Sequence, residues 1–158
     1  NDGNGGLFKS IYSLANGQGG GEMMQLGGFH SSVTVKGDIV AYDNNGYWYV
    51  ADRSVTATSF GYGARLMGCA LDVVGGNDAG LVLMRGYVRI ASSQMNGYGD
   101  GNDARGKPLY LSTNAGEFDL SGSTTSGDIN RVVGYLVDTD GTDFLVYFCP
   151  DNTWVEVS

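Results

Sequence analysis

Histidine occurs once in this chain of 158 residues, cysteine twice and proline twice. The single His30 would have to serve any Ser-His-Asp or Cys-His device, and it stands in a glycine-flanked segment, so a surface role is expected of it. No G-x-S-x-G nucleophile elbow occurs. One histidine and two distant cysteines make no zinc site at recognisable spacing. No glycine-rich stretch ends in the Lys-Ser/Thr of a phosphate loop. We therefore expect no catalytic residue, no metal ligand and no cofactor. Positive charge is scarce as well: nine Lys and Arg face seventeen Asp and Glu, for a net charge of −8. Such a field repels phosphate backbones, so nucleic acid is not an expected partner. No apolar run reaches the length of a membrane-spanning helix, and no membrane partner is expected. No charged n-region followed by an apolar h-region opens the chain, which also lacks an initiating Met. The expectation is a processed or truncated form, or one whose first residues were not included. Cys69 and Cys149 sit in apolar, strand-like runs and read as two buried thiols. A disulfide between them stays open.

Glycine supplies what proline does not. Its 27 residues are roughly twice the usual share and favour tight turns between short strands. From Val33 the pattern is firmly that of strands, with Asn45-Gly46 and Asp140-Gly141 as hairpin signals. Gly86 lies inside a long strand, where a bulge or bend is expected. The chain also repeats itself faintly. Arg65-Leu-Met-Gly68-Cys-Ala-Leu-Asp72 recurs as Arg131-Val-Val-Gly134-Tyr-Leu-Val-Asp138. Upstream, Gly37 to Ala51 parallels Gly106 to Ser121; downstream, Leu81 to Met84 parallels Leu145 to Phe148. The predicted fold is all-β: a small barrel or sandwich of two pseudo-repeated antiparallel halves, residues 36–91 and 106–149, within a domain over 33–158. The loop Asn96 to Gly106 divides the copies.

Residues 1–32 read differently, as an extended glycine-rich arm. Its apolar anchors Leu7, Phe8, Ile11, Tyr12, Leu14, Met23 and Met24 suit docking on a neighbouring subunit; a disordered tail or strands of the same fold are the alternatives. Alternation puts Tyr47 and Tyr49 on one face and Trp48 on the other, one of which is core. With Tyr62, these aromatics are candidates for a glycan or subunit contact, and packing is preferred over sugar. Asp138-Thr-Asp140-Gly141-Thr-Asp143 alternates carboxylates about a glycine, as calcium favours, yet it lacks a later bidentate Glu and reads naturally as a hairpin turn. Asp100-Gly101-Asn102-Asp103 carries a weaker signal of the same kind.

The strands GDIVAYDNNGYWYVAD, MGCALD, AGLVLMRGYV, GKPLYLSTNAGEFDL and VVGYLVD, with the terminal FCPDNTWVEV, resemble a family of bacteriophage virion proteins: head decoration, head-fibre and tail-fibre β-modules. The resemblance spans Val33 to Val157 and rests on glycine-centred positions, Gly37, Gly68, Gly86, Gly106, Gly116 and Gly134. It implies a non-catalytic virion component, commonly a homotrimer, whose partners are other virion proteins such as the major capsid or tail protein. Capsid decoration (cement) or a head fibre, docked through the arm, is the expected function. A tail-fibre module binding a host-surface glycan is the alternative.

Overall fold

The computed structural model describes residues 15–54, 62–74, 76–98 and 104–158. Among the described residues thirteen strands carry the fold: β1 (Gly19–Met24), β2 (Gly28–Phe29), β3 (Ile39–Tyr42), β4 (Tyr47–Val50), β5 (Met67–Ala70), β6 (Val82–Ala91), β7 (Met95–Asn96), β8 (Pro108–Leu111), β9 (Phe118–Asp119), β10 (Ile129–Asn130), β11 (Val132–Thr139), β12 (Asp143–Phe148) and β13 (Val155–Glu156). The chain is all-β. Eleven strands form one mixed sheet in the order β2-β4-β3-β5-β6-β12-β11-β8-β9-β7, with β1 also on β6. Strands β10 and β13 pair apart from it. No ladder among the described residues joins β2 to β7, so the expected barrel does not close. Single backbone bonds approach closure instead: Ile39 N–H donates to Gly116 O, Gly116 N–H to Ala51 O, and Arg53 N–H to Ser112 O.

The long strand β6 is the hinge of this arrangement. Strand β1 follows one of its edges from Val82 to Val88. The opposite edge is divided: β5 takes Val82 and Leu83, and β12 takes Gly86 to Ala91. Two sub-sheets therefore share one strand. A bulge where Glu22 and Met23 oppose Arg85 and Leu83 skips Met84. That extra residue reverses which side chains point inward. Leu83 faces the main core before it, and Val88 and Ile90 after it.

That core lies between the sub-sheets. Ile39, Met67 and Leu83 meet Leu109, Leu111, Phe118, Phe144, Val146 and Phe148 there. A second cluster, Phe29, Val33, Val40, Trp48, Ala70 and Val82, covers the other face of the first sub-sheet. The strands β3 and β5 are consequently buried on both faces, which is why they read as unbroken apolar runs.

The order of pairing reads alike from both ends. Hairpin β4–β3 leads through β5 to β6, and hairpin β9–β8 leads through β11 to β12, with β2 and β7 parallel to the outer strands. Individual hydrogen bonds match as well. Gly37 N–H donates to Ala70 O and Gly106 N–H to Leu136 O, both at 2.7 Å. Ala70 N–H then donates to Asp38 O, and Leu136 N–H to Lys107 O. Strand lengths differ: β6 has ten residues and β12 six.

The arm assigned to residues 1–32 requires correction. Gly19–Met24 is a strand of the sheet, with Met23 opposite Leu83 and Met24 opposite Val82, and Phe29 is a core residue. Three glycines conceal this strand in the sequence, because they show no alternation. They also let it approach closely: a Cβ on Gly21 would collide with Arg85 O and stand 2.7 Å from Gly86 Cα. Leu7, Phe8, Ile11, Tyr12 and Leu14 lie outside the described residues.

Candidate functional site

The aromatic strand β4 turns its largest ring inward. Trp48 is 0% exposed, and its indole N–H donates to Leu26 O at 2.6 Å. It cannot offer an exposed surface to a glycan, and its part in that expectation is withdrawn. Tyr47 and Tyr49 are half-buried. Tyr49 stacks on His30 with ring centroids 3.9 Å apart. The imidazole Nδ1 lies 3.1 Å from Ser32 Oγ and accepts from Ser32 N–H. Among the described residues His30 has no carboxylate or thiol beside it in this arrangement, and it orders a turn. Tyr62 opens the short turn Tyr62–Ala64.

The hairpin loop between β11 and β12 places its carboxylates against guanidinium groups. Arg89 holds Asp140 at 2.6 Å and Asp143 at 2.9 Å through Nη2, while Arg105 Nε pairs with Asp138 at 2.5 Å. Backbone N–H groups of Asp143 and Thr142 donate to Asp140 and, with Arg89, hold its carboxyl below the usual range. The loop is the hairpin turn, and its three carboxylates meet two guanidinium groups, Asp140 and Asp143 on Arg89 and Asp138 on Arg105. The second acidic loop, Asp100 to Asp103, lies outside the described residues.

A second polar network ties the two sub-sheets together. Arg53 reaches Asp119 at 3.5 Å and Asp128 at 3.1 Å. The shorter approach, from Nε, is misaligned and makes no hydrogen bond. Asn96 donates to Ser112 and Asp119, and Ser123 Oγ donates to Asp128 at 2.5 Å. Burial pushes the Asp52 carboxyl up, and the Asp128 charge adds to this, against the Ser54 N–H bond that lowers it. A carboxyl raised on folding stabilises only below its unfolded pKa, and loses that contribution as pH rises through its folded value. Asp52→Asn keeps the acceptor for Ser54 and is therefore expected to stabilise the protein slightly at neutral pH. The gain should vanish at about pH 3, as urea titrations at the two pH values would show.

Both thiols are free. Cys69 is buried and donates to Gly37 O at 3.3 Å, and burial pushes its pKa far up; Cys149 is half-buried. The buried-thiol reading thus fits Cys69 fully and Cys149 in part.

Two surface features escaped the sequence. Tyr87, Tyr147 and Tyr135 stand abreast on β6, β12 and β11, because Tyr147 is the register partner of both others. Tyr87 and Tyr135 are exposed. Only pairing register, which a single strand does not contain, brings these three together. The other feature surrounds Arg131, the first residue of the second R-x-x-G-x-x-x-D segment. It is 5% exposed. Its Nη1 donates to Gly63 O and Arg65 O, its Nε to Asp151 O, and Trp154 lies over it at 5.6 Å. Arg131 thus holds the backbone of Arg65, the residue it matches in the R-x-x-G-x-x-x-D segments. No family model and no curated protein matches this chain.

Proposed function

We propose that the chain is a non-catalytic structural component of a bacteriophage virion, of the capsid decoration (cement) or head-fibre kind. The destination of its ionic groups supports this reading. Arg53 links β9 to the segment after β4, Arg89 links β6 to the β11–β12 hairpin, and Arg105 links the segment before β8 to β11. Charge is used to fasten strand to strand, as a shell or fibre component needs. In this reading a homotrimer docks on the major capsid or tail protein, with Leu7, Phe8, Ile11, Tyr12 and Leu14 as anchors. Antibodies raised against the chain should label intact particles in electron micrographs. Labelling confined to free protein would reject the reading.

The tyrosine row favours one second reading, a tail-fibre module that binds a host-surface glycan. Tyr87 and Tyr147 pack with ring centroids 5.1 Å apart, and Tyr87 and Tyr135 are exposed beside Tyr147. Retention on whole host cells, lost in Tyr147→Ala, is its expected signature. Equal retention of the variant would dismiss it.

A further inference from the structure

Beyond its part in a particle, the geometry points to a binding site for an organic monocarboxylate in the cleft beside Arg131. The cleft has a volume of about 270 Å³ and is lined by Glu22, Leu66, Met67, Met84, Arg85, Arg131, Pro150 and Asn152.

Its cations carry the argument. Arg131 is buried, and no carboxylate forms an ion pair with it among the described residues. A guanidinium in that position is costly unless its charge and its N–H groups are met. Three carbonyl bonds engage Nε and Nη1. Among the described residues Nη2 makes no hydrogen bond, and it is the donor the group has left to offer. Burial lowers the Arg131 pKa, and the only charge opposing this is that of Asp151, whose own carboxylate accepts from Thr153. On the same cleft Arg85 is exposed and forms neither a hydrogen bond nor an ion pair among the described residues. Two guanidinium groups on one concave surface, neither in an ion pair among the described residues, stand out in a chain of net charge −8. Planar guanidinium forks match an oxyanion in geometry as well as in charge.

The other walls select among oxyanions. Leu66, Met84 and Pro150 offer apolar surface, which inorganic phosphate would not use and the carbon frame of an organic acid would. Glu22, the register partner of Arg85, stands at the same cleft and makes no ion pair among the described residues. Its charge opposes a dianion more than a monoanion. A carboxylate on a compact organic body, such as a uronic acid, meets all three conditions.

The test is thermal unfolding of the whole chain with sodium glucuronate, benzoate or inorganic phosphate, each against sodium chloride at equal ionic strength. Glucuronate or benzoate at about 100 times its dissociation constant should raise Tm by roughly 5–10 °C. Phosphate should do less at equal concentration. Arg85→Gln removes a side chain that bonds to nothing, so the variant should unfold at the wild-type temperature without ligand, yet lose the response. Glu22→Gln should bind more tightly. No response to either carboxylate overturns the proposal, as does an unchanged response in Arg85→Gln. A stronger response to phosphate than to both carboxylates also overturns it. Antibody labelling of particles is independent of these outcomes, so the two proposals fail separately.

Discussion

Gly86→Val is expected to destabilise the protein by about 4 kcal/mol or more, a large part of the stability of an ordinary domain. Gly86 has φ of +146° and faces Gly21, with φ of +149°, across the β1–β6 pair. Side chains rarely adopt either conformation. Space is lacking as well: a Cβ on Gly86 would collide with Gly20 O and stand 2.8 Å from Gly21 Cα. Both obstacles are backbone, so no rotamer change relieves them. The same residue pairs with Phe148 on the other edge, so movement away from β1 would press on β12. Gly20→Ala is the control, since nothing lies within 4 Å of its Cβ position. Guanidinium chloride titrations should show a large drop in midpoint for Gly86→Val and a small change for Gly20→Ala.

Deletion of residues 1–32 is expected to abolish stable folding, whereas deletion of 1–14 leaves every described strand in place. The longer cut removes β1, which covers β6 from Val82 to Val88, and β2 on β4. It also removes Phe29 from the second core cluster and the Leu26 carbonyl that receives the Trp48 indole N–H. Loss of a buried phenylalanine alone costs roughly 3–5 kcal/mol. Circular dichroism and thermal melts of the two truncations separate the outcomes: a cooperative melt after the shorter cut, none after the longer. Only the shorter truncation can test docking through Leu7 to Leu14, because failure of an unfolded protein to join a particle says nothing about its arm.

The all-β class was legible because alternation and turn chemistry agree locally. Asn45-Gly46 and Asp140-Gly141 fall at hairpin turns, with φ of +86° at Gly46 and +89° at Gly141. The bulge expected at Gly86 falls two residues earlier in β6, at Met84, while Gly86 itself pairs in register with Gly21. Strand β1 was not legible, since Gly-Gly-Gly-Glu has no apolar face to read and its strand character comes entirely from lying on β6. The position of Trp48 shows a different limit. Period-two alternation separates Trp48 from Tyr47 and Tyr49, but it does not say that a second apolar layer covers the face opposite the main core. Arg131 shows a third. Burial of its charge depends on the carbonyls of Gly63 and Arg65, at least 66 positions away in sequence.

The divided edge of β6 has a consequence for synthesis. Its first pairings, with β1 and β5, join residues that emerge early, but its second half finds no strand on that edge until Asp143 to Phe148 has been made. Those late residues include Phe144, Val146 and Phe148 of the shared core. A nascent chain stalled before Asp143 therefore presents the unpaired edge from Gly86 to Ala91 beside exposed apolar side chains, the combination that recruits a neighbouring nascent chain. With its decisive contacts so far apart, the protein should gain protease resistance in one late step after release rather than half by half on the ribosome.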